Sequence, residues 1–122
     1  MTMSYLQKAM DIQDKVFSGQ LLDAFEQYYH QDVVMIEPTG DVRVGKDTNR
    51  EAEKKFLASV QKWHGGGVQA ITSNEPEGIT MVESWMDITF LGGMRTKMEQ
   101  IARQKWQGDH IVEERFYYNV RN

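Results

Sequence analysis

Glu37 stands directly before Pro38, at the end of the β-branched run Val33-Val34-Met35-Ile36, where a strand would deliver a carboxyl to the rim of a sheet. If Val33 and Met35 point inward, so does Glu37, and an apolar surround would raise its pKa toward that of a general base for proton transfer. The alternative is a solvated glutamate at a turn. Asp87, between Trp85 and Thr89 in sequence parity, is a second acid. It suits a carboxylate pair with Glu37, whose pKa values would be driven apart, or a contact with a polar substrate group, and equally an ion pair with Arg115 or a place at an open rim. Gln13, Gln100 and Arg115 carry donors able to orient a carbonyl or carboxylate, or else to satisfy Glu83, Asp87 and Glu113. Met35, Trp85, Met98 and Tyr117 would supply an adaptable apolar lining for a small organic ligand, or ordinary core.

Other chemistries lack their residues. His30, His64 and His110 have no ligand spacing with one another or with a carboxylate, so no metal is expected. Gly65-Gly66-Gly67 precedes a strand, whereas a phosphate cradle opens a helix, so no nucleotide cofactor is expected. Trp63-His64-Gly65-Gly66-Gly67 has the look of an esterase oxyanion motif, but the chain contains no Gly-x-Ser-x-Gly nucleophile elbow. The absence of cysteine removes thiolate chemistry and disulfides. A formal net charge of -4 and no basic stripe argue against nucleic acid as a partner. Polar residues every two or three positions through Met1 to Asp11 fit neither a signal peptide nor a membrane span, which makes the cytoplasm the expected location.

The elements that must position these residues follow from period. At 122 residues, 40% hydrophobic and 26% charged, the chain suits one domain over 1–122. Helical spacing predicts one helix from Tyr5 to Phe17, ended by Ser18-Gly19, and a second from Leu21 to His30. Val33 to Glu37 reads as a strand closed by Pro38-Thr39-Gly40, with Val42 to Val44 returning as a short partner. Ala52, Phe56, Leu57, Val60 and Trp63 mark a third helix over Asp47 to Trp63. Four strands then form a meander: Val68–Ser73, Ile79–Leu91, Met94–Trp106 and Ile111–Val120.

Treating Gly92-Gly93 and Gly108-Asp109 as two-residue turns sets the register. Trp106 then faces Ile79 and Ile111, and Gln100 faces Trp85 and Tyr117. Trp85, Asp87, Met98, Gln100, Arg115, Tyr117 and Asn119 share one face, with enough polar groups to suggest a cavity in place of solid core. Ile88, Phe90, Ile101, Phe116 and Tyr118 share the other with charges, Arg103 opposite Glu114 and Lys97 opposite Val120, a mixture that reads as a homodimer surface.

The order of elements, Gly19-Gln20-Leu21-Leu22-Asp23-Ala24-Phe25, Met35-Ile36-Glu37-Pro38-Thr39-Gly40, Gly45-Lys46-Asp47 and Gly108-Asp109-His110-Ile111-Val112-Glu113-Glu114-Arg115 together resemble the SnoaL-like and ketosteroid-isomerase-like branch of the nuclear transport factor 2-like superfamily. The resemblance implies a cone-shaped α+β fold, with three helices of the N-terminal half packed on a strongly curved, mainly antiparallel sheet that encloses a pocket. It also implies that Glu37 occupies the position of the isomerases' base. Their tyrosine and aspartate oxyanion donors correspond to Gln13 and Ala102 here, and the cyclases' acid/base aspartate to Asn119. The implied activity is cofactor-free isomerisation, cyclisation or dehydration through proton transfer next to a carbonyl. A ligand-binding or dimerisation module without turnover is the competing class.

Overall fold

The computed structural model describes residues 2–119. Its elements run α1 (Tyr5–Val16), α2 (Leu21–Tyr28), β1 (Tyr29–Ile36), β2 (Val42–Val44), α3 (Lys46–Ser59), β3 (Val60–Asn74), β4 (Ile79–Phe90), β5 (Arg95–Gln107) and β6 (His110–Tyr117). The six strands form one mixed sheet in the order β2-β1-β6-β5-β4-β3. Only β1 and β6 pair in parallel; every other neighbour is antiparallel. The sheet is curved and unclosed, with helices on its concave side, so the α+β architecture expected from the sequence is the one observed.

Local signals explain the helix ends. Ser4 and Gln7 form a reciprocal capping box on α1. The Glu75 carboxylate accepts the Tyr5 and Leu6 N–H groups at 2.8 and 3.1 Å, tying the β3–β4 turn to the positive end of that helix. From α1 and α2, Ala9, Ile12, Ala24, Phe25 and Tyr28 pack onto Val33, Met35, Val82, Trp106 and Ile111 of the sheet. Lys8 is buried against this core, its Nζ 2.7 Å from Asp109 and over the rings of Tyr5 and Trp106. No helix of the described residues is long and apolar enough to cross a membrane.

The third helix is shorter than its periodicity predicts. It stops at Ser59, and Val60 to Trp63 join a 15-residue β3 whose ladder runs from Val60 opposite Phe90 to Asn74 opposite Ile79. Trp63 still meets Phe56, at 6.4 Å between ring centroids, so the apolar pair that suggested one helical face forms across the helix–strand junction. Tyr29 and His30 likewise belong to β1 and not to the second helix.

Two one-residue irregularities overturn the expected faces. The β4–β5 connection is a three-residue loop, Leu91-Gly92-Gly93, closed by Phe90 N–H to Met94 O at 2.8 Å. Ser84 therefore faces Gln100, and Met86 faces Met98. The β5–β6 turn is the expected one, with Gln107 opposite His110, but a bulge follows and Lys105 faces Glu113, leaving Val112 extra. Because side chains alternate, both slips exchange faces. Thr80, Val82, Ser84, Met86 and Ile88, with Glu114, Phe116 and Tyr118, turn toward the helices. Trp85, Asp87, Arg115 and Tyr117 turn outward. Arg103 faces Arg115 and not Glu114, Lys97 faces Asp87, and Val120 lies outside the described residues.

Gly78 carries the tightest of the turn constraints. Its φ is +65°, and a Cβ there would lie 2.9 Å from the Trp106 carbonyl oxygen, whose own N–H donates to the Gly78 carbonyl at 2.7 Å. Gly92 has φ +100° but open space around it. Urea unfolding should therefore show Gly78→Ala destabilised by about 2–3 kcal/mol and Gly92→Ala by about 1 kcal/mol, backbone strain alone accounting for the smaller loss. Equal losses would mean that the contact with Trp106 is relieved at no cost.

Candidate functional site

Between the helices and the concave face lies a cavity of about 350 Å³. Ile12, Phe17, Phe25, Phe56, Val82, Met86, Met98 and Phe116 give it apolar walls, and Gln13, Tyr29, Glu37, Arg43, Glu53, Ser84, Gln100, Glu114 and Tyr118 give it polar ones. Three of these side chains are carboxyls and only one, Arg43, is a cation.

Glu37, just past β1, is held at both oxygens. Arg43 Nη2 donates to Oε1 at 3.0 Å and the Tyr118 hydroxyl donates to Oε2 at 2.6 Å. Arg43 is aimed by its position on β2 opposite Met35 and by donation from Nε to Asn49 Oδ1 at 3.1 Å. Asn49, wholly buried on α3, donates in turn to the carbonyls of Gly45 and Arg43 at 2.8 and 3.1 Å, locking the helix entry to the hairpin. Burial and the neighbouring Glu37 push the Tyr118 hydroxyl up to about 12, which keeps it a donor.

Glu114 ends a buried relay across the sheet. The Trp106 indole N–H donates to Thr80 Oγ1 at 2.9 Å, Thr80 donates to Gln104 Oε1 at 2.7 Å, and Gln104 Nε2 donates to Glu114 Oε2 at 2.8 Å. The Tyr29 hydroxyl donates to Oε1 at 2.7 Å. Burial raises the Glu114 pKa despite those two donors, and burial beside Glu114 raises that of Tyr29 well above the usual phenol.

Glu53 differs from both. On α3, it has no hydrogen-bond or ion-pair partner among the described residues, although it lines the cavity. Burial, then the charges of Glu114 and Glu37, opposed by Arg43, lift its pKa to about 7. A carboxyl so placed can both take and return a proton at neutral pH. Among the described residues no cluster of three or more His, Cys, Asp or Glu is arranged to hold a metal ion.

Of the residues singled out from the sequence, Glu37, Gln13, Met98 and Gln100 meet in this cavity. Met35 is buried in the core next to it, between Arg43 and Glu114 in the sheet ladder. The shared-face placement of Trp85, Asp87, Arg115 and Tyr117 is corrected: all four project from the convex side, for the register reasons above. Asp87 pairs bidentately with Arg95 at 3.0 and 2.9 Å, with neither Glu37 nor Arg115, and that guanidinium holds its carboxyl below the usual range. The Trp85 indole lies over Gly65 and Gly67 with Lys97 Nζ 5.3 Å from its ring. Asn119 is exposed past the end of β6. Sequence reasoning passed over Arg43, Glu53, Tyr29, Glu114 and Tyr118. Glu53 did leave a signal, since it stands three and four residues before Phe56 and Leu57, an acid on the apolar stripe of α3.

A family model described as a SnoaL-like domain matches residues 2–118. A candidate SnoaL-like polyketide cyclase from Mesorhizobium loti has a similar structure, with TM-score 0.81 and 26% identity, over 95% of this chain and 100% of that one. A candidate polyketide cyclase from Pseudomonas putida superposes with TM-score 0.83 at 13% identity, covering 98% of this chain and 94% of that one. A protein of ketosteroid-isomerase-like fold from Catenulispora acidiphila, solved with trimethylamine, gives TM-score 0.76 at 11% identity over 93% and 86%. At 11–13% identity the likeness is one of fold. No curated protein matches the sequence.

Holding Glu53 in this environment has a sign that can be measured. Its pKa is about 7 folded against an ordinary value of 4.5, so between those values the folded state binds more protons than the unfolded one. Stability is therefore unpenalised below about pH 4.5 and falls as pH rises toward 7. Glu53→Gln should be more stable than wild type by about 1–3 kcal/mol at pH 8, with the gap closing near pH 4, as read by urea unfolding across pH. Parallel curves for the two proteins would place the Glu53 carboxyl in water.

Proposed function

The chain belongs to the SnoaL-like domain family, and on that scaffold we propose a cofactor-independent enzyme that moves a proton next to a carbonyl of a small organic molecule, as an isomerase, cyclase or dehydratase. The observation that carries this reading is an unpartnered carboxyl, Glu53, facing a largely apolar cavity beside two carboxyls that are held. In the proposed step the C–H bond next to the carbonyl breaks, its electrons move onto the carbonyl oxygen, and Glu53 takes the proton. Returning that proton to a different carbon completes an isomerisation. Gln100 and Gln13 offer amide donors to the developing oxyanion, with Met98 and Phe116 against the apolar body. Glu37 was the expected base, but Arg43 and Tyr118 already engage its oxygens, which suits it to shaping the polar end of the cavity.

Solvent-deuterium incorporation next to the carbonyl, followed by NMR over a panel of small cyclic and aryl ketones, tests the assignment without a known substrate. Glu53→Gln should slow exchange by about 100-fold or more while ligand-induced shifts persist, and wild-type exchange should fall as pH drops below about 7. Loss in Glu37→Gln with exchange retained in Glu53→Gln would return the base to Glu37. Binding without exchange by the wild type would favour a ligand-binding module.

Pairing of two copies through the convex face belongs to the same proposal. Met81, Ile101 and Tyr117 are exposed there among Arg103, Glu113 and Arg115, a mixture of apolar groups and both charge signs that suits a self-complementary contact. Glu114 takes no part, being 3% exposed on the other side. Light scattering should give a dimer for wild type and a monomer for Ile101→Asp; a monomeric wild type would remove the pairing.

A further inference from the structure

A second cavity, of about 430 Å³, adjoins the first. The α1–α2 turn, Leu57 of α3, and Trp63, His64, Gly65 and Gly66 of β3 form it. Val16, Phe17 and Leu21 line both chambers, so these side chains are a shared wall. The wall has a second part: Phe56 of the first chamber meets Trp63 of the second.

Phe17 has its place because residue 66 is glycine. A Cβ on Gly66 would lie 2.6 and 2.9 Å from two carbons of the Phe17 ring, so any larger residue would drive the ring into one chamber or the other. The neighbours Gly65 and Gly67 give the opposite face of β3 to the Trp85 indole. The glycine run thus seats one aromatic ring on each side of the strand, and the inner ring is the partition. Each chamber alone is at the small end of the range of about 300–1,000 Å³ typical of sites for small organic ligands.

We propose that the two chambers are one bipartite site, in which the ligand's carbonyl head lies among Glu53, Glu37 and Gln100 and an apolar tail passes Phe17 to lie against Trp63 and Leu57. The ligand class is then an elongated, mainly apolar carbonyl compound, and Phe17 determines how long a tail is admitted. The identity of the head rests on the proton-transfer reading above; the bipartite shape does not.

Straight-chain alkyl phenyl ketones of increasing length, and the matching alkylbenzenes without a carbonyl, separate the two. Calorimetry gives the affinities, and tryptophan emission gives occupancy of the second chamber, with Trp63→Phe identifying the signal. Affinity should rise about threefold to fourfold for each methylene buried, and beyond a threshold length Trp63 emission should shift to the blue. Phe17→Ala and Phe17→Leu should lower that threshold in order of side-chain size, and Gly66→Ala, which displaces the ring from the other side, should move it as well. A length-independent affinity, a silent Trp63 at every length, a threshold unmoved in all three variants, or no binding of either series would overturn the bipartite site. If both series show the threshold but ketones bind no better than alkylbenzenes and undergo no exchange, the bipartite site stands and the carbonyl reading falls.

Discussion

Glu114 has its carboxyl buried in the sheet, and the surrounding structure is arranged to make that tolerable. The relay runs in one direction: the Trp106 indole N–H donates to the Thr80 hydroxyl, which donates to Gln104 Oε1, so that the Gln104 amide N–H faces Glu114. With Tyr29 added, four strands contribute to one directed chain, β4 through Thr80, β5 through Gln104 and Trp106, β6 through Glu114 and β1 through Tyr29. No fully buried side-chain polar atom among the described residues is left without a partner. A broken link would leave a buried donor or acceptor unpaired, which costs more than a hydrogen bond ordinarily contributes.

The relay also marks where solid core gives way to cavity. Trp106 lies in the helix-covered core, flanked by Tyr5 and Tyr28, while Glu114 opens onto the chamber. The Glu114 carboxyl fixed there helps raise the pKa of its neighbour Glu53. Glu37 is matched by Arg43, whereas Glu53 feels its own desolvation together with two acidic neighbours and only a shared cation. The raised pKa of Glu53 is thus a property of the arrangement and not of that residue alone. Groups poised in this way cluster at functional sites because the same surroundings that shift them also weaken the folded state.

Architecture was legible in the sequence because it depends on periods that survive small errors. The stripe Leu6, Ala9, Ile12 and Val16, the β-branched run before Glu37 and the strands flanking Gly92-Gly93 and Gly108-Asp109 appear where their spacing puts them, whereas β3 runs through Gly65-Gly66-Gly67 from Val60. Of the residues named from the sequence, Glu37, Gln13, Met98 and Gln100 line the first cavity. Those placed by counting across the β4–β5 loop or the Val112 bulge came out on the wrong face. Neither feature has a strong local signal, since Gly92-Gly93 reads naturally as a two-residue turn and a bulge at Val112 depends on what faces it. Arg43 and Tyr29 were hidden for a different reason, their partners being brought near only by tertiary structure.

These irregularities have a consequence for what the cavity can be. Under unbroken pairing the concave face would carry Glu83, Trp85, Asp87, Glu113, Arg115 and Tyr117, large or charged groups that would crowd the space below the helices. The extra residue at Leu91 replaces the β4 members with Val82, Ser84 and Met86, and the bulge replaces the β6 members with Glu114 and Phe116. Space is opened by the first change and the anchored carboxyl is supplied by the second. Gln104 lies between them, facing Thr80 on one side and Glu114 on the other. Its amide can join both partners only if both slips are present, because correcting either one would turn Thr80 or Glu114 to the opposite side of the sheet.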